Sequence, residues 1–291
     1  MDVRQLRCLV AIVDEGSFSG AARRLDMTQP AVSLQIRRLE EALGEPVFHR
    51  NGRSIALTPL GEAILPHARD AFRALQNAET AAQSVRGVIS GTVTIGTIPG
   101  CGGVGLPEMI VAFRDSYSLV STTLIESSAD DLIRRVTSGE LDLAIVGTAA
   151  PSTHGLPSRV LTVSRMVAVV PASHDLAGRI AIPLNELLRH DVMCTPPGSG
   201  IRAALDFARK AAGLDIVVRY ESGNPDMLVR FAAIGLGIGI VPDDPAIRAR
   251  QDIAVLDIVQ PEVIGNLELI WTARSAASPA VRELIRLAEK L

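Results

Sequence analysis

Groups able to do chemistry stand at helical spacing in the run TQPAVSLQIRR, residues 28–38. Val32, Ile36, Leu39 and Leu43 are spaced four, three and four apart, so on a helix they form one inward stripe. That stripe leaves Gln29, Pro30, Ser33, Leu34 and Arg37 outward, with Thr28 and Arg38 beside them. An outward face of amide, hydroxyl, guanidinium and one apolar group suits the major groove of DNA. Gln forks onto adenine, Arg onto guanine, and an exposed Leu meets a thymine methyl. The competing use of Arg37 and Arg38 is surface pairing with Glu40 or Glu41 at helical spacing. A second group, Arg50, Asn51 and Arg53, falls where Asn51-Gly52 supplies the positive φ angles of a tight hairpin turn. Arginines at such a tip reach a phosphate backbone or an adjacent minor groove.

Two further runs suit a small anion. Thr97-Ile98-Pro99-Gly100-Cys101-Gly102-Gly103 and Thr195-Pro196-Pro197-Gly198-Ser199-Gly200 each follow a strand pattern and precede a helix pattern. Free amides at a helix start favour a carboxylate. Ser127-Ser128 and Gly147-Thr148 end two other strand patterns on the same edge. From these runs the candidate ligand contacts are Thr97, Pro99, Gly100, Cys101, Ser128, Thr148, Thr195, Pro196, Ser199 and Gly200.

The elements that must position these groups are legible in outline. Val3, Leu6, Val10 and Val13 predict a first helix over 3–15. Ser17 is placed to cap a second over 18–25, and Thr28 to cap the third, with Pro30 in its first turn and Gly44 as its left-handed end. Val47-Phe48-His49 and Ile55-Ala56-Leu57 read as the two strands of the hairpin, so residues 1–58 form a winged helix-turn-helix. Residues 59–88 follow as a linker. From Pro59 to Arg86, Ile64, Ala68, Ala71, Leu75, Ala78, Ala82 and Val85 alternate at four and three, a heptad seam that predicts dimerisation through one long helix bent at Pro66. Gly87 and Ser90-Gly91 read as a hinge.

Beyond it, strands are expected at 93–98, 120–126, 141–147, 165–171, 192–195, 217–221, 238–241 and 267–272, with helices at 107–113, 130–137, 201–212, 225–233 and 279–291. Such alternation predicts an α/β region over 89–291 with largely parallel sheets and ligand sites at strand carboxyl ends.

Composition excludes several classes. The net charge is −3, and residues 1–58 hold eight arginines against seven acids, so any contact with DNA rests on placement rather than total charge. The start, MDVRQLRCLVAIVDEG, carries charges every few residues and does not read as a signal peptide, and no run reaches the roughly 20 apolar residues of a membrane span. Three cysteines without a CxxC pair argue against a disulfide scaffold or zinc finger and favour a reduced cytoplasm. The five histidines lack metal spacing, and neither a cofactor site nor a catalytic Ser-His-Asp or Cys-His group is identifiable. Gly235-Leu236-Gly237-Ile238-Gly239 follows a helix and precedes a strand, the wrong order for a nucleotide loop, and reads as a helix cap with tight strand entry. Cys101 and Cys194 each adjoin one of the two candidate ligand loops and read as inert thiols.

The run SFSGAARRLDMTQPAVSLQIRRLEEALGEPVFHRNGRSIALTPLGEAILPHA closely resembles the LysR-type transcriptional regulators. GTVTIGTIPG, GELDLAIVG and AAIGLGIGIVP resemble the effector domain of the same family, so the likeness spans essentially the whole chain. It implies a two-lobed, periplasmic-binding-protein-like effector domain, with one lobe from residues 90–161 and 267–291 and the other from 162–266. It also implies operator DNA and a small-molecule effector as partners, contact with RNA polymerase, and a homodimer or homotetramer. Family members often carry hydroxyls at the positions of Gly100 and Ala129, which implies a less polar effector here or one held by backbone amides. The rival reading is a small-molecule-binding or enzymatic α/β protein whose N-terminal helices only dimerise. A purely dimerising helix has no use for the polar outward face that carries Gln29.

Overall fold

The computed structural model describes residues 1–49, 55–84, 89–101, 105–149 and 154–290. Arg50, Asn51 and Arg53 of the expected wing tip lie outside the described residues, as do Val85, Gly87, Gly102 and Gly103.

Three short helices open the chain: α1 (Val3–Glu15), α2 (Phe18–Arg24) and α3 (Gln29–Leu43). Each starts on a side-chain cap that supplies an acceptor to amides lacking an intrahelical partner. Asp2 and Gln5 form a reciprocal capping box on α1, Ser17 Oγ accepts from Gly20 N at 2.9 Å, and Thr28 Oγ1 accepts from Ala31 N at 3.4 Å. Gly44 ends α3 at φ +83°, a conformation that penalises any side chain with a Cβ. Val32, Ile36 and Leu39 turn inward and pack with Leu9, Ile12, Val47 and Phe48. The hairpin stem forms, with Phe48 bridged to Leu57 and His49 N donating to Ala56 O at 2.9 Å.

The linker helix, α4 (Pro59–Ser84), splits the heptad seam in two. Ile64 and the buried Ala68 belong to the winged-helix core, whereas Leu75 is 47% exposed and Ala78 is also exposed. Among the described positions of the seam, Leu75 and Ala78 are the ones open to a second copy. Between the two parts sits Arg69, whose buried guanidinium reaches Asp14 of α1 at 2.6 Å and Glu140 at 3.3 Å. Asp70 pairs with Arg274, a second tie between α4 and the region beyond it.

That region is a continuous mixed sheet. Its strands are β1 (Gly91–Thr97), β2 (Val120–Glu126), β3 (Leu143–Ala149), β4 (Ser158–Pro171), β5 (Ala181–Pro183), β6 (Val192–Cys194), β7 (Val218–Glu221), β8 (Ile238–Pro242), β9 (Ile253–Val259) and β10 (Ile264–Trp271). They run in the order β2-β1-β3-β10-β4-β8-β6-β7, with β9 beside β4 and β5 beside β9. Helices α5 (Leu106–Ser116), α6 (Ala129–Thr137), α7 (Gly200–Ala211), α8 (Pro225–Ala233), α9 (Pro245–Arg248) and α10 (Pro279–Leu287) complete it.

The expectation of largely parallel sheets needs correction. β1, β2 and β3 are mutually parallel, as are β8, β6 and β7, but β10 runs antiparallel to β3 and β4, and β4 antiparallel to β8 and β9. Every antiparallel pair in this sheet involves β4 or β10, and β4 crosses from one half of the sheet to the other. Its first half pairs with β10, and from Met166 onward it pairs with β8 and β9. β5, β9 and α9 were not expected, and Ser90-Gly91 leads directly into β1. The two halves have separate apolar cores, one around Phe113, Leu143 and Ile145 and the other around Leu187, Leu205 and Ile240. We call them the first and second lobes.

Candidate functional site

The first candidate surface is the outward face of α3. Thr28, Gln29, Pro30, Leu34, Arg37 and Arg38 are exposed and Ser33 is half-buried. Gln29 Nε2 donates to Ser33 Oγ at 3.1 Å, which holds the amide over the helix start. The expected competition for the arginines does not materialise among the described residues: Glu40 turns inward and accepts from Val47 N at 3.0 Å. Two guanidinium groups therefore project from a helix whose opposite face is locked in the core. This is a rigid donor-rich surface at a helix N-terminal half, the geometry that enters a major groove.

The second candidate site is a cavity of about 750 Å³ between the lobes. Pro99, Gly100, Cys101, Ser128, Thr148, Pro196, Ser199 and Gly200 line it. Thr97 and Thr195 do not; each stands behind a lining residue. Thr97 Oγ1 lies 2.5 Å from Cys101 Sγ, and the buried Thr195 lies 2.5 Å from Ser199 Oγ. Ser128 caps α6 and Ser199 caps α7, so the two helix N-termini converge on the cavity from opposite lobes. They nearly touch: Asp130 N donates to Gly198 O at 3.2 Å. A Cβ on Gly200 would lie 2.2 Å from the Gly147 carbonyl carbon, so glycine at both positions lets α7 seat on the backbone of β3.

Sequence reasoning missed the walls contributed by the crossing strands. Leu161, Thr162, Ser164 and Met166 of β4 line the cavity, as do Gly265, Asn266 and Leu267 around β10 and the turn Pro242–Pro245. A signal was present in Asn266-Leu267-Glu268, where alternation aims two polar side chains to one face of an otherwise apolar strand.

Glu268 is buried at 1% exposure beneath the Thr148 and Asn266 end of the cavity. Thr148 Oγ1 donates to its Oε1 at 2.7 Å and Asn266 Nδ2 at 3.3 Å, while His154 Nε2 lies 3.1 Å from Oε2. Burial alone would raise this carboxyl, yet hydrogen bonds from Thr148, His154, Ser158 and Asn266 together hold it below the usual glutamate range. The thiols behave oppositely. Burial raises Cys101, and it pushes Cys194 up to about 12, so neither is a ready thiolate. Among the described residues no cluster of His, Cys, Asp or Glu is arranged to hold a metal ion, and no helix is long and apolar enough to cross a membrane.

Comparison with known proteins matches both halves of this architecture. Residues 3–62 match the family model described as bacterial regulatory helix-turn-helix protein, lysR family, and residues 86–291 match the LysR substrate binding domain. The chain is 30% identical over 284 residues to the transcriptional dual regulator GltC of Bacillus subtilis, covering 97% of this chain and 95% of that protein. It is 28% identical over 295 residues to the regulator IlvR of Caulobacter vibrioides, covering 99% and 97%. Among solved structures, a full-length OxyR variant of Pseudomonas aeruginosa superposes with a TM-score of 0.76 at 22% identity, over 99% of this chain and 94% of that one. CbnR in complex with its target DNA gives 0.64 at 21% identity, over 100% and 99%.

Proposed function

The chain belongs to the LysR family of bacterial transcriptional regulators, not to a family of enzymes, and on that premise we propose how it reads DNA and senses an effector. Operator DNA is read by Thr28, Gln29, Pro30, Ser33, Leu34, Arg37 and Arg38, with Arg50, Asn51 and Arg53 on the backbone or minor groove. The observation that carries this reading is the outward face of α3, exposed, donor-rich and backed by a buried apolar stripe. Phosphate contacts set affinity and base contacts set sequence preference, so the two sets of residues separate by experiment. In fluorescence anisotropy with the upstream DNA of its own gene, Arg53→Ala weakens binding to all sequences and flattens the salt dependence by about 0.9 per lost phosphate contact. Gln29→Ala costs about 1–3 kcal/mol at the cognate site alone. Wild-type behaviour of both variants would remove the DNA-reading assignment.

The effector is a small molecule held between the lobes, with a carboxylate toward the N-termini of α6 and α7 and contacts from Pro99, Gly100, Cys101, Ser128, Thr148, Pro196, Ser199 and Gly200. Thr97 and Thr195 support this shell through Cys101 and Ser199. Binding favours one lobe arrangement over another, and the preference is passed to paired recognition helices as a change in their spacing. Arg69 supports such a route, since its guanidinium joins α1 to Glu140, and Glu140 pairs in turn with Arg135 of α6 at 2.5 Å. The protein works in the cytoplasm as a homodimer or homotetramer and contacts RNA polymerase at the promoter. Dimerisation uses the exposed end of α4: Leu75→Glu buries charge in the pair and dissociates it in analytical ultracentrifugation. An unchanged sedimentation coefficient for that variant would move the interface elsewhere.

A further inference from the structure

The cavity floor rests on a buried anion that the effector reading leaves unused. Thr148, Asn266 and His154 each face the Glu268 carboxylate as neutral donors. Thr148 gives its single hydroxyl proton to Oε1 at 2.7 Å, so the remaining lone pairs of Oγ1 are acceptors toward the cavity. A carboxylate accepts only from the nitrogen of an amide, so Asn266 turns Nδ2 to Glu268 at 3.3 Å and its Oδ1 away. His154 Nδ1 accepts from Leu156 N at 3.1 Å, which places the ring proton on Nε2, 3.1 Å from Oε2. The imidazole is therefore neutral and brings no countercharge. The charge of Glu268 is balanced by dipoles alone, beneath a floor whose two polar side chains present acceptors.

The rest of the cavity sharpens this polarity. Among its described lining residues there is no Arg, Lys or His. Asp243 and Asp244 stand at its rim, but Asp243 is engaged by Arg248 at 2.5 and 2.9 Å, and Asp244 caps α9. Among the described residues neither Asp244 nor Glu268 faces a cation, but Asp244 is exposed to water, so the buried charge without a countercharge is that of Glu268. Resting on the cleft reading above, we infer that the effector carries a protonated amine to the Thr148–Asn266 end, where Glu268 is its countercharge. A hydroxyl at that position satisfies the two acceptors but leaves the charge unpaired. A carboxylate there meets lone pairs and a like charge with no proton between them.

Three probes of one apolar body separate these cases: phenethylamine, 2-phenylethanol and phenylacetate, titrated calorimetrically into the full-length protein. Phenethylamine is expected to bind at least tenfold tighter than 2-phenylethanol. Glu268→Gln is expected to erase that ratio while leaving the alcohol within about threefold. Should Glu268→Gln fold poorly, Asn266→Leu removes one floor acceptor and is expected to lower the amine-to-alcohol ratio several-fold. The inference is overturned if the acid or the alcohol binds as tightly as the amine, if both variants keep the wild-type ratio, or if no probe binds. Retained binding to operator DNA in the same preparations leaves the regulator reading standing in every one of those outcomes.

Discussion

The outward face of α3 and the cleft between the lobes hold their functional groups by opposite means. On α3 the candidate DNA contacts fall within residues 28–38, and helical periodicity alone puts them on one side. The cleft draws Cys101, Ser128, Thr148, Ser164, Ser199, Pro242 and Asn266 from separate strands and turns, brought together only by sheet order. The first surface is rigid because its back is a core. The second is a seam between two cores, closed by the Gly147–Gly200 contact, by the hydrogen bond from Asp130 N to Gly198 O and by strands shared between the lobes. A reader of DNA gains from a fixed surface, whereas a sensor gains from a seam whose closure a ligand can bias.

The largest expected effect tests whether the two regions are energetically separate. Leu39 is fully buried behind the recognition face, and Leu39→Ala is expected to cost about 2–5 kcal/mol. In urea unfolding the loss falls on the winged-helix transition, and the lobes unfold as in wild type. A joint loss in both transitions would break the comparison and give the Arg69 bridge a share in global stability.

A smaller effect is expected from the cleft side. Gly200→Val places a side chain against the backbone of Gly147, where even a Cβ would lie at 2.2 Å, so α7 must lift off β3. The cost is about 1–3 kcal/mol. Effector response is lost while binding to operator DNA persists, measured by anisotropy with and without inducing cell extract. Loss of DNA binding in this variant would show that the seam and the recognition face are not independent.

The smallest effect concerns pH. Glu268 has a folded-state pKa held below its ordinary value near 4.5, so the stability it contributes is present above that value. It is lost as pH falls through the lowered one. Between pH 5 and 3 the melting temperature of the lobes is expected to fall less steeply in Glu268→Gln than in wild type. Parallel slopes would indicate that the carboxyl is not held as an anion.

Particular elements mark where local reasoning ran out. Capping residues Ser17, Thr28 and Gly44, and the stripe Val32–Ile36–Leu39, act over one helical turn, so their structural roles could be read directly. The same holds for Gly235, which follows α8 at φ +83° as a cap and not as a phosphate loop. By contrast, β9 carries a strand pattern but has no following helix, and strand–helix alternation left it no place. The heptad seam of α4 was legible as a periodicity, yet periodicity cannot say what covers it. Ile64 and Ala68 meet the chain's own core, whereas Leu75 and Ala78 are exposed.

Residue types and spacing were enough to specify the winged helix-turn-helix and its polar face, because those depend on contacts between near neighbours. Composition and the strand–helix alternation were enough to specify an α/β effector region. The direction of the central strands, the identity of the cleft walls and the burial of Glu268 were decided only by the tertiary structure. Each depends on β4 and β10 crossing between the lobes side by side, although 92 residues lie between Pro171, the end of β4, and Ile264, the start of β10. Pairing across such a distance is set by which faces can be buried together, a property of the assembled sheet that no local pattern carries.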